Sequence, residues 1–126
     1  MEDISSHSPI VVVSADGEVM VFSDVGSAES YMEPIDVRRG EYPQVYGASG
    51  EAFEIAIRPR RRRIWGLFPL THQQVELVRS SEPPNESQLV AILRKFLPTL
   101  GLSEEVVREA TLRELLELAR KGTHHR

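Results

Sequence analysis

The residues best suited to chemistry fall into an acidic group and an arginine run. The acidic group is Glu29, Glu33, Asp36 and Glu41, and the run at 58–63 (RPRRRR) has five arginines in six positions. Paired carboxylates can exchange protons or bind a metal ion, and arginine binds carboxylates and phosphates through its planar fork. Because oxygen-rich metal sites usually need tighter spacing within one loop, we interpret the acidic group as a solvated acidic face.

No pattern in the sequence predicts an enzyme. The four histidines are His7, His72, His124 and His125, and for His72 the sequence reveals neither the orienting partner nor the pocket that a general base needs. There is no Gly-x-Ser-x-Gly elbow and no glycine-rich phosphate loop. The chain has no cysteine for a thiol nucleophile, a disulfide or a zinc site. We therefore expect no catalytic residue, no cofactor and no metal.

Charge is distributed unevenly along the 126 residues. Residues 1–57 contain 11 acidic and 2 basic side chains, residues 58–63 five arginines and no acid, and residues 64–126 eight of each sign. Such blocks create fields that steer charged partners. The acidic first half therefore favours binding of a basic partner.

The arginine run has three interpretations, and the sequence leaves all of them open. It is neutralised by the acidic half of the same chain, it forms a surface strand that blunts a sheet edge or docks an acidic partner, or it binds nucleic acid. The residues of the third interpretation are Arg58, Arg60, Arg61, Arg62 and Arg63. The low pI of about 5.6 disfavours it, and we interpret Trp65, just beyond the run, as a core residue.

Hydrophobic patterning predicts a sheet in the first two-thirds of the chain. Apolar runs and alternation indicate strands, with Asp16-Gly17 as the first hairpin turn, over residues 10–14, 19–22, 41–46, 52–58, 62–68 and 73–79. Pro43 places the third strand at a sheet edge, because proline cannot donate to a ladder.

One short helix interrupts these strands. It is predicted over Ala28–Glu33 with Ser27 as its cap, and Pro34 stops it. Tyr31 and Met32 are expected to point into the core, and residues 35–40 are expected to be extended.

After residue 85 the hydrophobic period becomes helical. Leu89, Ile92, Leu93, Phe96 and Leu97 form one face of an amphipathic helix. Three caps are predicted, namely Asn85 with Gln88, Ser103, and Thr111 with Glu114. The sequence therefore predicts an α+β fold: an antiparallel sheet of about five or six strands with one short inserted helix, and a C-terminal helical layer of two or three helices on one face or end.

We predict one domain over residues 1–126. Within it, residues 9–79 are mostly sheet, residues 80–87 a linker and residues 85–121 helical, while residues 1–8 and 122–126 are expected to be disordered. No apolar run is long enough for a membrane span, and the first ten residues lack the pattern of a secretory signal. We therefore expect a cytoplasmic protein that contacts no membrane.

Residues 29–42 (ESYMEPIDVRRGEY) carry a resemblance to a known group of proteins. They resemble a motif in a group of small, mostly uncharacterised bacterial proteins, in which a Tyr-Asp-x-x-Gly turn follows shortly after. Here that turn reads VYGASG at 45–50, with Gly47 in place of the aspartate. The likeness spans most of the chain, and its specific part is residues 29–50.

Some members of this group look like immunity proteins encoded near bacterial toxins. The resemblance implies a small cytoplasmic binding protein. Together with the acidic charge of residues 1–57, it favours a protein-binding module, an immunity-like inhibitor that blocks a basic toxin surface with its acidic half. We expect Glu33, Asp36 and Glu41 to supply charge, and Tyr42 and Tyr46 to act as aromatic anchors.

Two alternatives to this interpretation stay open. The first is purely structural: Tyr31, Ile35 and Val37 pack against the sheet and need no ligand. The second is a homodimer, formed through an open strand edge near Pro43 or through the arginine run.

Overall fold

The computed structural model describes residues 8–64 and 68–122, with segments 60–64 and 68–72 described by their backbone. It confirms the α+β class, because five strands form one antiparallel sheet in the order β2-β1-β3-β4-β5. The strands are β1 (Ile10–Val13), β2 (Val19–Phe22), β3 (Gln44–Gly47), β4 (Ala52–Ile64) and β5 (Phe68–Arg79).

Five α-helices accompany the sheet within the described residues. They are α1 (Val25–Tyr31), α2 (Pro34–Arg38), α3 (Glu86–Phe96), α4 (Glu104–Glu109) and α5 (Leu112–Gly122), with a 3₁₀ turn over Leu97–Leu100. The C-terminal helical layer is as predicted. Gly122 ends α5 and is not disordered, and Trp65 lies outside the described residues. No helix in the described part of the chain has the length and apolarity to cross a membrane.

The first hairpin lies between two hydrophobic cores. All eight residues of β1 and β2 are buried. On one face, Val11 and Val21 pack with Leu89 and Leu93 of α3 and with Leu115 of α5. On the other face, a second core joins residues of the sheet to residues of α1 and its C-terminal end, and it includes Ile10, Val12, Met20, Phe22, Ala28 and Met32. The C-terminal helices therefore cover one face of the sheet, and the inserted helical segment, whose face the sequence did not predict, covers the other.

The predicted caps of the C-terminal helices are confirmed. The Asn85 side chain accepts a hydrogen bond from the Gln88 N–H at 3.0 Å. Thr111 and Glu114 form the reciprocal pair, since each backbone N–H donates to the side chain of the other residue. Ser103 accepts from the N–H groups of two residues in the first turn of α4. These side chains satisfy N–H groups that a helix start leaves without a helical partner.

The inserted helical segment differs from the prediction. Asp24, not Ser27, caps α1, and its carboxylate accepts from the Ser27 N–H at 2.8 Å. Residues 35–40 were expected to be extended, but residues 34–38 form α2, whose first residue is Pro34. Proline both ends one helix and suits the first position of the next, where no N–H partner is needed.

The third and fourth strands also differ from the prediction. β3 begins after Pro43 and lies between β1 and β4, so the prediction of an edge strand is wrong. Two strands were predicted at 52–58 and 62–68. Residues 52–64 instead form one strand, β4, which continues through Pro59.

The β4–β5 pair extends far past the rest of the sheet. β3 pairs with β4 only through Ala52 and Phe53, whereas β4 pairs with β5 as far as Ile64 opposite Phe68. At about 3.3 Å per residue, residues 54–64 span roughly 35 Å. We call this two-stranded extension, residues 54–64 and 68–78, the ribbon.

Two prolines lie within the ribbon at positions that a ladder tolerates. The Leu77 N–H donates to Glu29, on the side away from β4. In an antiparallel pair the direction of the backbone N–H alternates along the strand, so the N–H groups of the odd-numbered residues of β5 point away from β4. Pro69 is one of these odd-numbered positions. On β4 the same holds for odd-numbered residues, because Ile55 is paired with Leu77, and Pro59 is one of them. Neither proline removes a bond between the two strands.

Gly50 joins the sheet to the C-terminal helical layer. Its φ is +89°, and an added Cβ would lie 2.7 Å from the backbone carbon of Asn85 and 2.7 Å from the backbone nitrogen of Glu86. The Asn85 N–H also donates to the Gly50 carbonyl at 2.9 Å. The β3–β4 turn therefore touches the start of α3 directly, and only glycine fits there.

We expect Gly50→Ala to lower the free energy of unfolding by about 2 to 4 kcal/mol, because left-handed strain and a backbone clash add. Gly17→Ala is the matched control, since Gly17 has φ +88° and nothing within 4 Å of an added Cβ. It should cost only about 1 kcal/mol. Urea unfolding followed by circular dichroism measures both losses, and equal losses would contradict the contact with α3.

Candidate functional site

Four of the five predicted partner-binding residues lie on one surface. It is formed by α1, α2 and the segment that leads into β3, on the side of the sheet away from α3–α5. We call it the acidic–aromatic surface, and its residues are Tyr31, Glu33, Ile35, Asp36, Glu41 and Tyr42.

A row of three aromatic rings anchors this surface to the core. Phe22 of β2 is buried, and its ring centroid lies 5.2 Å from that of Tyr31. The Tyr31 ring meets the ring of Tyr42 edge-on at 6.4 Å. Both separations are within the range of favourable aromatic pairs. The row therefore connects the core to two tyrosines near solvent.

The carboxylates of the surface are grouped around Tyr42. The pKa of Tyr42 is raised above its ordinary value, first by burial of the phenol and then by the nearby Tyr31, Asp36, Glu41 and Glu33. A negative phenolate is disfavoured both by a less polar environment and by neighbouring negative charge. The three predicted carboxylates therefore lie near enough to Tyr42 to disfavour its ionised form, and they add to the effect of burial.

Tyr31 and Ile35 are apolar members of the surface that sequence reasoning assigned to the core. Tyr31 is 40% exposed and Ile35 is 50% exposed, whereas Met32 is buried as predicted. Ile35 was read as part of an extended segment packed on the sheet, but it lies on α2, which has no buried residue. A helical period starting at Pro34 is the signal that would have found it.

Tyr46 is not part of this surface. Its side chain is only 5% exposed and belongs to the core on the opposite face of the sheet, beside Val11 and Leu89. Gln44 donates a hydrogen bond to its hydroxyl oxygen at 2.9 Å. Burial raises the pKa of Tyr46, although the hydrogen bond from Gln44 opposes the shift. Tyr46 therefore stabilises the fold and cannot serve as an anchor for a partner.

Glu29, the fourth member of the acidic group, has a structural role. Its carboxylate accepts a hydrogen bond from the Leu77 N–H at 2.7 Å, although 48 residues separate them. β5 is an edge strand, so this N–H has no neighbouring strand to bond. The bond attaches α1 to the outer edge of β5. From α2, Arg38 also donates to the side chain of Gln73 on β5.

The arginine run lies on β4, in the ribbon. Arg58 forms an ion pair with Glu76 of β5 at 2.6 Å, and both side chains are more than half exposed. Such exposed pairs contribute little stability. Arg60–Arg63 pair in register with His72, Thr71, Leu70 and Pro69. The acidic–aromatic surface and the arginine run are therefore formed by different elements.

Two grooves lie on the face covered by α3–α5. The larger, of about 780 Å³, is lined by residues that include Val13, Ile92 and Phe96. The other, of about 510 Å³, includes Val21 and Leu116. Neither is lined by any predicted site residue that the structure describes. Among the described side chains, no group of three or more His, Asp or Glu is arranged to hold a metal ion.

Comparisons with family models, curated proteins and solved structures returned no match to this chain. The resemblance of residues 29–50 to immunity-like proteins therefore stays a hypothesis, as does the expectation that the protein is not an enzyme. The geometry of the two charged surfaces is what supports a function.

We expect the variant Glu33→Gln, Asp36→Asn, Glu41→Gln to lower the pKa of Tyr42 toward its ordinary value, with burial keeping it partly raised. Tyr46 is the internal control, because none of these carboxylates raises its pKa. Nuclear magnetic resonance titration of labelled tyrosines measures both values. A Tyr42 pKa that does not move would contradict the grouping of charges.

The same pKa shift predicts how stability depends on pH. Above pH 10 the unfolded chain releases the Tyr42 proton before the folded chain does, because only the folded pKa is raised. The free energy of unfolding should therefore fall as pH rises from 10 through the folded pKa. The triple variant should weaken this fall in urea titrations at alkaline pH. An unchanged slope would show that the three carboxylates do not contribute to the pH dependence.

Proposed function

We propose that the protein is a binding module that captures a basic protein through its acidic–aromatic surface. One observation carries the proposal: exposed Tyr31 meets Tyr42 edge-on, the surroundings of Tyr42 include three carboxylates, and the helix that follows, α2, exposes Ile35. Protein interfaces commonly combine aromatic or aliphatic anchors with a charged rim. The surface has both components within one short segment.

The sign of the partner's charge follows from the sequence. Residues 24–42 contain five acidic and two basic side chains. Of the two basic residues, Arg38 is bonded to Gln73. Complementary charge mainly accelerates association, whereas buried apolar anchors determine how long a complex lasts. A partner with a basic patch around an apolar pocket fits best.

The resemblance narrows the class of partner. An inhibitor that covers the basic active face of a bacterial toxin, as an immunity protein does in the cytoplasm, needs a surface of this kind. The proposed role requires no catalytic residue, metal or cofactor of the protein itself. It depends on the surface only.

Reversing three charges, with Glu33→Lys, Asp36→Lys and Glu41→Lys, should abolish capture of the partner from a lysate of the native host at low salt. The immobilised wild-type protein and a matched variant, Glu18→Lys, Glu82→Lys, Glu109→Lys, should both retain it. The matched variant has the same change of net charge at exposed sites elsewhere. Mass spectrometry of the captured proteins identifies the species that distinguishes the baits.

With that protein purified, association rates complete the test. We expect the triple reversal at the surface to lower the association rate by at least about tenfold and to remove its salt dependence. The matched variant should behave like the wild type. Identical capture by all three baits, or equal rates, would overturn the proposal.

Ile35→Ala should weaken binding of the same partner by more than about fivefold while changing the free energy of unfolding by less than about 1 kcal/mol. Ile35 is half exposed, so its loss leaves little cavity. Val106→Ala is the control, since Val106 is 55% exposed on α4. Calorimetry measures affinity, and equal affinities for the two variants would show that Ile35 is not an anchor.

A further inference from the structure

The outer part of the ribbon is a positively charged extension. Residues 57–75 contain five arginines, one histidine and no acidic residue. Arg58 at its inner end is paired with Glu76. Arg60–Arg63 lie further out, opposite His72, Thr71, Leu70 and Pro69. No acidic residue within the ribbon is in register with these four arginines.

Distance along the strands separates the outermost of these arginines from the segment that carries the acidic–aromatic surface. The outermost side-chain contact described between the α1–α2 segment and β5 is the hydrogen bond from Arg38 to Gln73. Arg63 pairs with Pro69, four residues beyond Gln73, which is roughly 13 Å along the strand. At physiological salt, charges are screened beyond about 8 Å. The negative net charge of the whole chain is therefore only a weak argument against binding of a polyanion by the outer part of the ribbon.

We propose that the ribbon binds duplex DNA in its major groove, a function beyond the capture of a protein. A two-stranded ribbon is an element that the major groove of B-DNA, about 12 Å wide, admits. Positions 60 and 62 alternate with positions 61 and 63 between the two faces of the ribbon. Positive charge at both sets of positions suits a groove with a phosphate backbone on each side.

The chemistry of arginine favours phosphate as the ligand. The guanidinium fork binds phosphate through two parallel hydrogen bonds. Phosphate contacts position a protein without reading sequence, so the binding should be largely independent of DNA sequence. Duplex RNA is disfavoured, because its major groove is too deep and narrow for protein elements.

Pro59 and Pro69 fit this role. Both occupy positions where a backbone N–H would face away from the partner strand. An open strand edge invites pairing with another chain, and proline prevents it. The two prolines thus protect the open edges of the ribbon from strand addition.

The test measures binding of the full chain to a fluorescent 20-base-pair DNA duplex of random sequence, by anisotropy across a salt series. The variant Arg60→Gln, Arg61→Gln, Arg62→Gln, Arg63→Gln should lose at least about tenfold in affinity at low salt. The plot of its log affinity against log salt should be less steep by about 3 to 4, because each phosphate contact contributes about 0.9 to the steepness. Lys95→Gln, Arg108→Gln, Arg113→Gln, Lys121→Gln is the control of equal net charge, and it should bind as the wild type does.

Other outcomes would overturn the proposal. Equal losses for the two variants would show attraction by net charge alone, and tighter binding to a 20-base-pair RNA duplex would assign the ribbon to RNA. Sedimentation would detect self-association of the chain. If self-association is salt-sensitive, and is removed both by the ribbon variant and by reversal of Glu33, Asp36 and Glu41, the ligand of the ribbon is a second copy of the chain. The DNA assay contains no protein partner, so its result does not depend on the proposed function.

Discussion

Burial of the β1–β2 hairpin on both faces is the constraint on which the rest of the structure depends. The four positions of β1 and the four of β2 carry no polar residue, and they must be kept from water on two sides. The chain meets this need with α1 and α2 on one face and α3–α5 on the other. The helices therefore gather over β1–β3 and the inner part of β5, where Val75 and Leu77 are buried, and only the outer part of β4 and β5 extends past them. Both candidate surfaces, one on a covering helix and one on the extension, follow from this arrangement.

The sequence predicts best where a structure depends on neighbouring residues. The capping pairs Asn85 with Gln88 and Thr111 with Glu114 are local, and both form as predicted. The position of β3 in the sheet is a long-range property, because pairing with β1 joins residues more than 30 positions apart. Pro43 wrongly indicated an edge strand, because it lies just before β3 and takes no part in the ladder. The unbroken apolar run of β1 did contain the information that both faces are covered.

The candidate site divides in the same way. Glu33, Asp36 and Glu41 are close in sequence, the Glu41 N–H donates to the Asp36 carbonyl, and all three lie near Tyr42, so the sequence was enough to group them. Tyr42 and Tyr46 are of one type and four residues apart, yet one is near solvent and the other in the core. That difference depends on the helices that cover β3 from the far side, and no local pattern reports it.

The bonds from Glu29 to Leu77 and from Arg38 to Gln73 have a consequence for communication between the two surfaces. Both start on the helical segment that forms the acidic–aromatic surface, and both end on the strand that continues into the ribbon. A ligand that displaces α1 would strain the first bond and alter the angle at which the ribbon leaves the sheet. By thermodynamic linkage, if a ligand at one surface changes the affinity of the other surface for its ligand, the second ligand changes the affinity for the first by the same factor.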